Sequence, residues 1–147
     1  MGIDVHATTE IARPTDEVAA YAMEADNDPA WIGGISSTRR LTPGPTAVGT
    51  RVERVAHFLG RRIDYVMEVA ELSPGRRIML RSIKSPFPMR VTYTFEPVPG
   101  GTRASVRVEG GPKNLLRHAN SLISPAVHRN LRKDMTRLKQ ICETGRR

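Results

Sequence analysis

The 147-residue sequence predicts a single α+β domain in which an antiparallel sheet of about seven strands is covered by one long C-terminal helix, with two short helices after the first strand. Three observations carry this prediction. Residues 3–11 alternate apolar and polar with period two, and residues 35–110 repeat that alternation between turn residues with no helical stretch. Beyond residue 112 the apolar positions return at spacings of three and four.

Ile3, Val5, Ala7, Thr9 and Ile11 share one face of the first strand, against Asp4, His6, Thr8 and Glu10 on the other. Arg13-Pro14 ends it. Proline at the first helical position, followed by Thr15, Asp16 and Glu17, starts a helix, because the acids face the positive end of its dipole. That helix runs over Val18, Tyr21, Ala22 and Ala25. A second short helix over Asp26 to Trp31 closes at Gly33-Gly34.

The breaks at Pro43-Gly-Pro45, Leu59-Gly60, Ser73-Pro-Gly75, Ser85-Pro86 and Pro99-Gly-Gly101 leave connections short enough to join only antiparallel neighbours, so residues 35–110 form a meander. Ile63, Tyr65, Met67 and Val69 share one face, as do Met89, Val91, Tyr93 and Phe95, and Ala104, Val106 and Val108; the opposite face is wet. In the last segment Leu115, Ala119, Leu122, Ile123, Leu131, Met135, Leu138 and Cys142 form the covering stripe. Pro125 inside it is expected to kink the helix or split it in two.

Composition narrows function. The net charge is +8, and residues 113–147 hold nine basic residues against Asp134 and Glu143, whereas residues 1–30 carry seven acids against Arg13 alone. The asymmetry suggests an anionic partner or a solvated arginine-rich face. Residues 113–147 contain no Phe, Tyr or Trp to stack on bases, which argues against nucleic acid. The absence of a signal-like start and of a long apolar run predicts a cytoplasmic protein. His6, His57, His118 and His128 are scattered and Cys142 is alone, so no metal site or nucleophilic arrangement is read, and no cofactor is expected.

Short motifs run in order along the chain: Ile11-Ala-Arg-Pro14 with Glu17-Val18, Pro29-Ala-Trp31, Gly49-Thr-Arg51, Gly60-Arg-Arg62, Glu71-Leu-Ser-Pro-Gly-Arg-Arg77, Tyr93-Thr-Phe-Glu-Pro97, Gly101-Thr-Arg103 and Leu131 to Lys139. With them the sequence resembles the START-like (SRPBCC) superfamily, in particular its bacterial polyketide cyclase/dehydrase and lipid-transport group. The resemblance implies the helix-grip fold, a curved sheet wrapped round the long helix, and an apolar cavity between them that holds a hydrophobic small molecule. It carries no catalytic signature.

Inward residues are then the candidate lining. Tyr65, Met67, Met79, Met89, Tyr93 and Phe95 supply an adaptable apolar wall, doing mixed duty as core. The hairpin at Leu59-Gly60 sets the phase. A two-residue turn places Val52, Arg54, Ala56 and Phe58 with Tyr65 and Met67, whereas a three-residue turn brings Glu53, Val55 and His57 inward. The first set is more apolar and is favoured.

Arg54 then enters an apolar interior, where it needs a buried carboxylate or a ligand oxygen, unless it snorkels to the rim. With Tyr65 it could stabilise a developing enolate in an aldol cyclisation of a poly-β-ketone. Arg81 poses the same question in a segment of ambiguous phase. His118, near Leu122 on the roofing helix, and Trp31, at the pocket mouth or as a core anchor, complete the candidate ligand-binding set. The function expected is binding of a polyketide- or lipid-like molecule, as a polyketide cyclase or aromatase docking an acidic acyl carrier protein. The alternative is a non-catalytic lipid or quinone carrier that touches anionic membranes through its basic helix.

Overall fold

The computed structural model describes residues 3–58, 60–85, 88–110 and 116–145, with the backbone alone for 116–123. Strand β1 (Ile3–Ile11) leads to helix α1 (Thr15–Met23), a 3-10 turn (Ala25–Asn27) and the one-turn helix α2 (Asp28–Trp31). Six strands follow, β2 (Ile35–Arg40), β3 (Arg51–Phe58), β4 (Arg61–Ser73), β5 (Arg77–Lys84), β6 (Met89–Val98) and β7 (Gly101–Gly110), before helix α3 (Leu116–Thr144). Pro14 stands at the N-cap of α1, one position earlier than its spacing suggested.

All seven strands form one antiparallel sheet in the order β1-β7-β6-β5-β4-β3-β2, so the meander is sequential and the first strand closes on the last. Val5, Ala7, Ile11, Tyr65, Met67, Val69, Val91, Tyr93, Phe95, Ala104 and Val106 are buried on the inner face, while their alternates carry the charges. Where β7 meets β1, a Cβ on Gly101 would lie 2.0 Å from the Ile11 carbonyl oxygen, so only glycine lets the two backbones approach.

Helix α3 lays Leu131, Met135, Leu138 and Cys142 over this face and joins the same hydrophobic core. Its end is tied down by polar contacts: Lys139 Nζ donates to the Glu10 carbonyl at 2.7 Å, and the Ala12 amide donates to Glu143 Oε2 at 2.9 Å. Pro125 does not split the helix, which runs through it as one element. A proline removes only one ladder hydrogen bond, and the apolar stripe beyond it anchors the remaining turns.

The outer face is a lattice of cross-strand ion pairs, among them Arg107 with Asp4, Arg103 with Glu10, Arg77 with Glu71, and Glu68 with both Arg51 and Arg81. Arg81 and Arg51 hold the Glu68 carboxyl below its ordinary range, chiefly by hydrogen bonding. Helix α3 is different. Arg129, Arg132 and Lys133 on its exposed side meet no carboxylate among the described residues, so the basic excess of the sequence is concentrated there.

Candidate functional site

Phe58 pairs directly with Arg61, which fixes the β3–β4 connection at two residues, with Gly60 in the left-handed region at φ 77°. Strand alternation then turns Val52, Arg54 and Ala56 inward and Glu53 outward, where Glu53 pairs with Arg39. Arg54 lies opposite Tyr65 on β4 and Thr38 on β2. It is 4% exposed.

Its partner is Asp28, 2% exposed, at the start of α2. Arg54 donates from Nε at 3.0 Å and from Nη2 at 2.7 Å, both to Asp28 Oδ2. Among the described residues, Arg54 Nη1 and Asp28 Oδ1 have no hydrogen-bond partner. Burial alone would lower the Arg54 pKa, but Asp28, with Tyr93 and Tyr65 nearby, more than reverses this and holds the guanidinium charged. Burial pushes the Asp28 carboxyl up, and Arg54 draws it part of the way back. Burial likewise raises the Tyr93 phenol, which stays a neutral hydroxyl. Trp31 stands edge-on to Tyr93, ring centroids 5.6 Å apart and planes at 66°.

Helix α2, which carries both Asp28 and Trp31, is clasped to α3. The Gly33 amide donates to Asp134 Oδ1 at 2.9 Å, and Arg137 Nη1 donates to the Trp31 carbonyl at 2.8 Å. Trp31 is therefore a core anchor, 1% exposed, rather than a residue of the mouth. A mostly apolar void of about 20 Å³ adjoins the ion pair, with Asp28, Arg54 and Tyr93 on its polar side and Val52, Val69, Ile78 and Leu80 among its apolar lining. That is room for one water.

The inner face is closed at one end and looser at the other. Phe95 and Met67 are fully buried beside α1 and the second half of α3, whereas Ala56, Phe58, Ile63 and Met89 are only half-buried. The loose end is where β3, β5 and β7 finish, and where α3 begins. His118 and Leu122 fall in that first part of α3, and their side chains lie outside the described residues.

Two expected lining residues face the other way. Met79 lies opposite Thr92 and Arg81 opposite Arg90, both on the outer face, where Arg81 pairs with Glu68 at 3.0 Å. Ile78 and Leu80 point inward instead, opposite Tyr93 and Val91. A bulge in β4 between Val69 and Glu71 sets this phase, and the run Ile78-Met79-Leu80 conceals it because all three are apolar. Asp28 carries no distinguishing signal in the sequence. It reads there as an ordinary helix-start acid, and nothing local points to a partner 26 positions away.

Chemically, the arrangement offers one charged donor held in place by its counter-ion, the Tyr93 and Tyr65 side chains beside it and an apolar wall leading to the looser end. The model of a family described as polyketide cyclase / dehydrase and lipid transport matches residues 2–143. Compared by sequence with curated proteins, the chain has no match. Solved structures share the fold. TTHA0849 from Thermus thermophilus is 17% identical with a TM-score of 0.84, covering 99% of this chain and 100% of its own. The ZhuI aromatase/cyclase from Streptomyces sp. R1128 is 16% identical with a TM-score of 0.82, covering 100% and 97%. A START superfamily protein from Mycobacterium smegmatis is 14% identical with a TM-score of 0.71, covering 94% and 98%.

Proposed function

The chain belongs to the polyketide cyclase / dehydrase and lipid transport family of START-like proteins, and from that membership and its interior we infer that it binds a hydrophobic small molecule, polyketide- or lipid-like, between the sheet and α3. The observation that carries this reading is the Asp28–Arg54 pair. Replacing a buried ion pair with apolar residues is often neutral or stabilising, so such a pair is poorly explained by stability. Its free donor, Arg54 Nη1, suits a ligand oxygen. The half-buried Ala56, Phe58, Ile63 and Met89 mark the entrance. Ligand pockets usually enclose roughly 300–1,000 Å³, so the void of about 20 Å³ must enlarge for the interior to take such a molecule.

Where the ligand is a poly-β-ketone, Arg54 and Tyr65 are the groups that would stabilise an enolate oxygen during cyclisation, with Asp28 holding the guanidinium in place. Native mass spectrometry of the protein as purified from cells tests the binding reading. A released apolar molecule at one per chain is expected; bare protein that also takes up no apolar dye overturns it.

A second reading, the membrane-touching carrier, is favoured by Arg129, Arg132 and Lys133, which have no carboxylate partner among the described residues. It predicts flotation with anionic vesicles that is lost as salt is raised. Failure to float at low salt contradicts the carrier and leaves the basic face to an acidic protein such as an acyl carrier protein.

A further inference from the structure

Buried polar atoms in folded proteins are nearly always hydrogen-bonded, because an unsatisfied one forfeits its hydration for nothing. Buried hydroxyls elsewhere in this chain obey the rule: Thr102 Oγ1 donates to the Arg13 carbonyl at 2.8 Å and Thr50 Oγ1 accepts from the Ala47 amide at 2.9 Å. Thr38 Oγ1 and Trp31 Nε1 do not, being buried without a partner. They belong to the elements that flank Arg54. Thr38 is its cross-strand neighbour on β2, and Trp31 ends the helix that Asp28 opens, with its ring against Tyr93. A water in the small void satisfies neither, since neither residue lines it.

The charge at this place is already balanced. Arg54 gives two hydrogen bonds to Asp28 and keeps Nη1 free, but its charge is neutralised there, so an entering carboxylate would bring a full permanent charge and its lost hydration into a site with no net charge to offset it, and would face Asp28 as well. A ketone, ester or quinone oxygen suffers no such penalty and accepts what the site has to donate. Resting on the hydrophobic-ligand reading above, we propose that Thr38 and Trp31 each donate a hydrogen bond to a ligand oxygen, and that the interior selects an uncharged carbonyl compound over a carboxylate of the same chain length.

Displacement of the neutral dye Nile red by methyl laurate and by laurate tests this on the whole chain. Methyl laurate displaces the dye at a concentration about tenfold below that of laurate. Thr38→Val lowers the affinity for the ester about fivefold, the value of one hydrogen bond, and leaves laurate unchanged. The same variant keeps or raises the thermal midpoint, since it replaces an unsatisfied hydroxyl on an edge strand with a β-branched isostere. Trp31→Phe weakens the ester in the same direction. Laurate binding as tightly as the ester, an unchanged ester affinity in Thr38→Val, or a drop in its thermal midpoint each overturn the proposal while leaving the hydrophobic-ligand reading intact. A wild-type protein that takes up no Nile red overturns that reading, and the proposal with it.

Discussion

Asp28→Ala lowers the free energy of unfolding by about 3–5 kcal/mol, because it leaves the Arg54 guanidinium buried with no counter-ion. The guanidinium cannot escape by losing its proton. The joint replacement Asp28→Leu with Arg54→Met removes both charges at similar volume and restores stability to the wild-type level or above it. Urea denaturation of the three proteins measures both effects. A double variant as unstable as Asp28→Ala would show that the ion pair itself holds the fold together, and would remove the main reason for assigning it to a ligand.

The second large effect separates the two ends of the inner face. Phe95→Ala, deep beneath the closed end, costs about 3–5 kcal/mol through lost burial and the cavity left behind. Phe58→Ala at the looser end removes a ring that is only half-buried, and costs about 1 kcal/mol or less. If Phe58 belongs to the proposed entrance, uptake of Nile red reverses the order: Phe58→Ala weakens it while the protein remains folded. Equal stability losses at the two positions would contradict a tight closed end opposed to a loose one.

Much of the architecture is legible in the sequence because it rests on local periodicity. The alternation in β1, β4, β6 and β7 and the three-four spacing in α3 each come from one element meeting one core, and the two-residue turn after Phe58 follows from the apolar set it brings inward. Legibility fails where a decision is made at a distance. Met79 and Arg81 take their phase from a bulge on the neighbouring strand, across a run of three apolar residues in which any phase looks acceptable. Arg54 can be seen to need a partner, but Asp28 is supplied by a separate helix that packs over the sheet. Trp31 is held in the core from more than 100 residues away, by Arg137 donating to its carbonyl and by Asp134 accepting from the Gly33 amide just beyond it. Closure of the interior is a matter of packing, which a pattern of residue types does not encode.

On the function proposed above, the Asp28–Arg54 pair is kept for a ligand. Native mass spectra of the wild type and of the Asp28→Leu, Arg54→Met double variant, purified in parallel from the same cells, test it most directly. The expected result is a wild-type protein carrying an apolar small molecule and a folded, stable double variant that has lost it. A double variant carrying the same molecule at the same occupancy would show that the ion pair is not kept for the ligand.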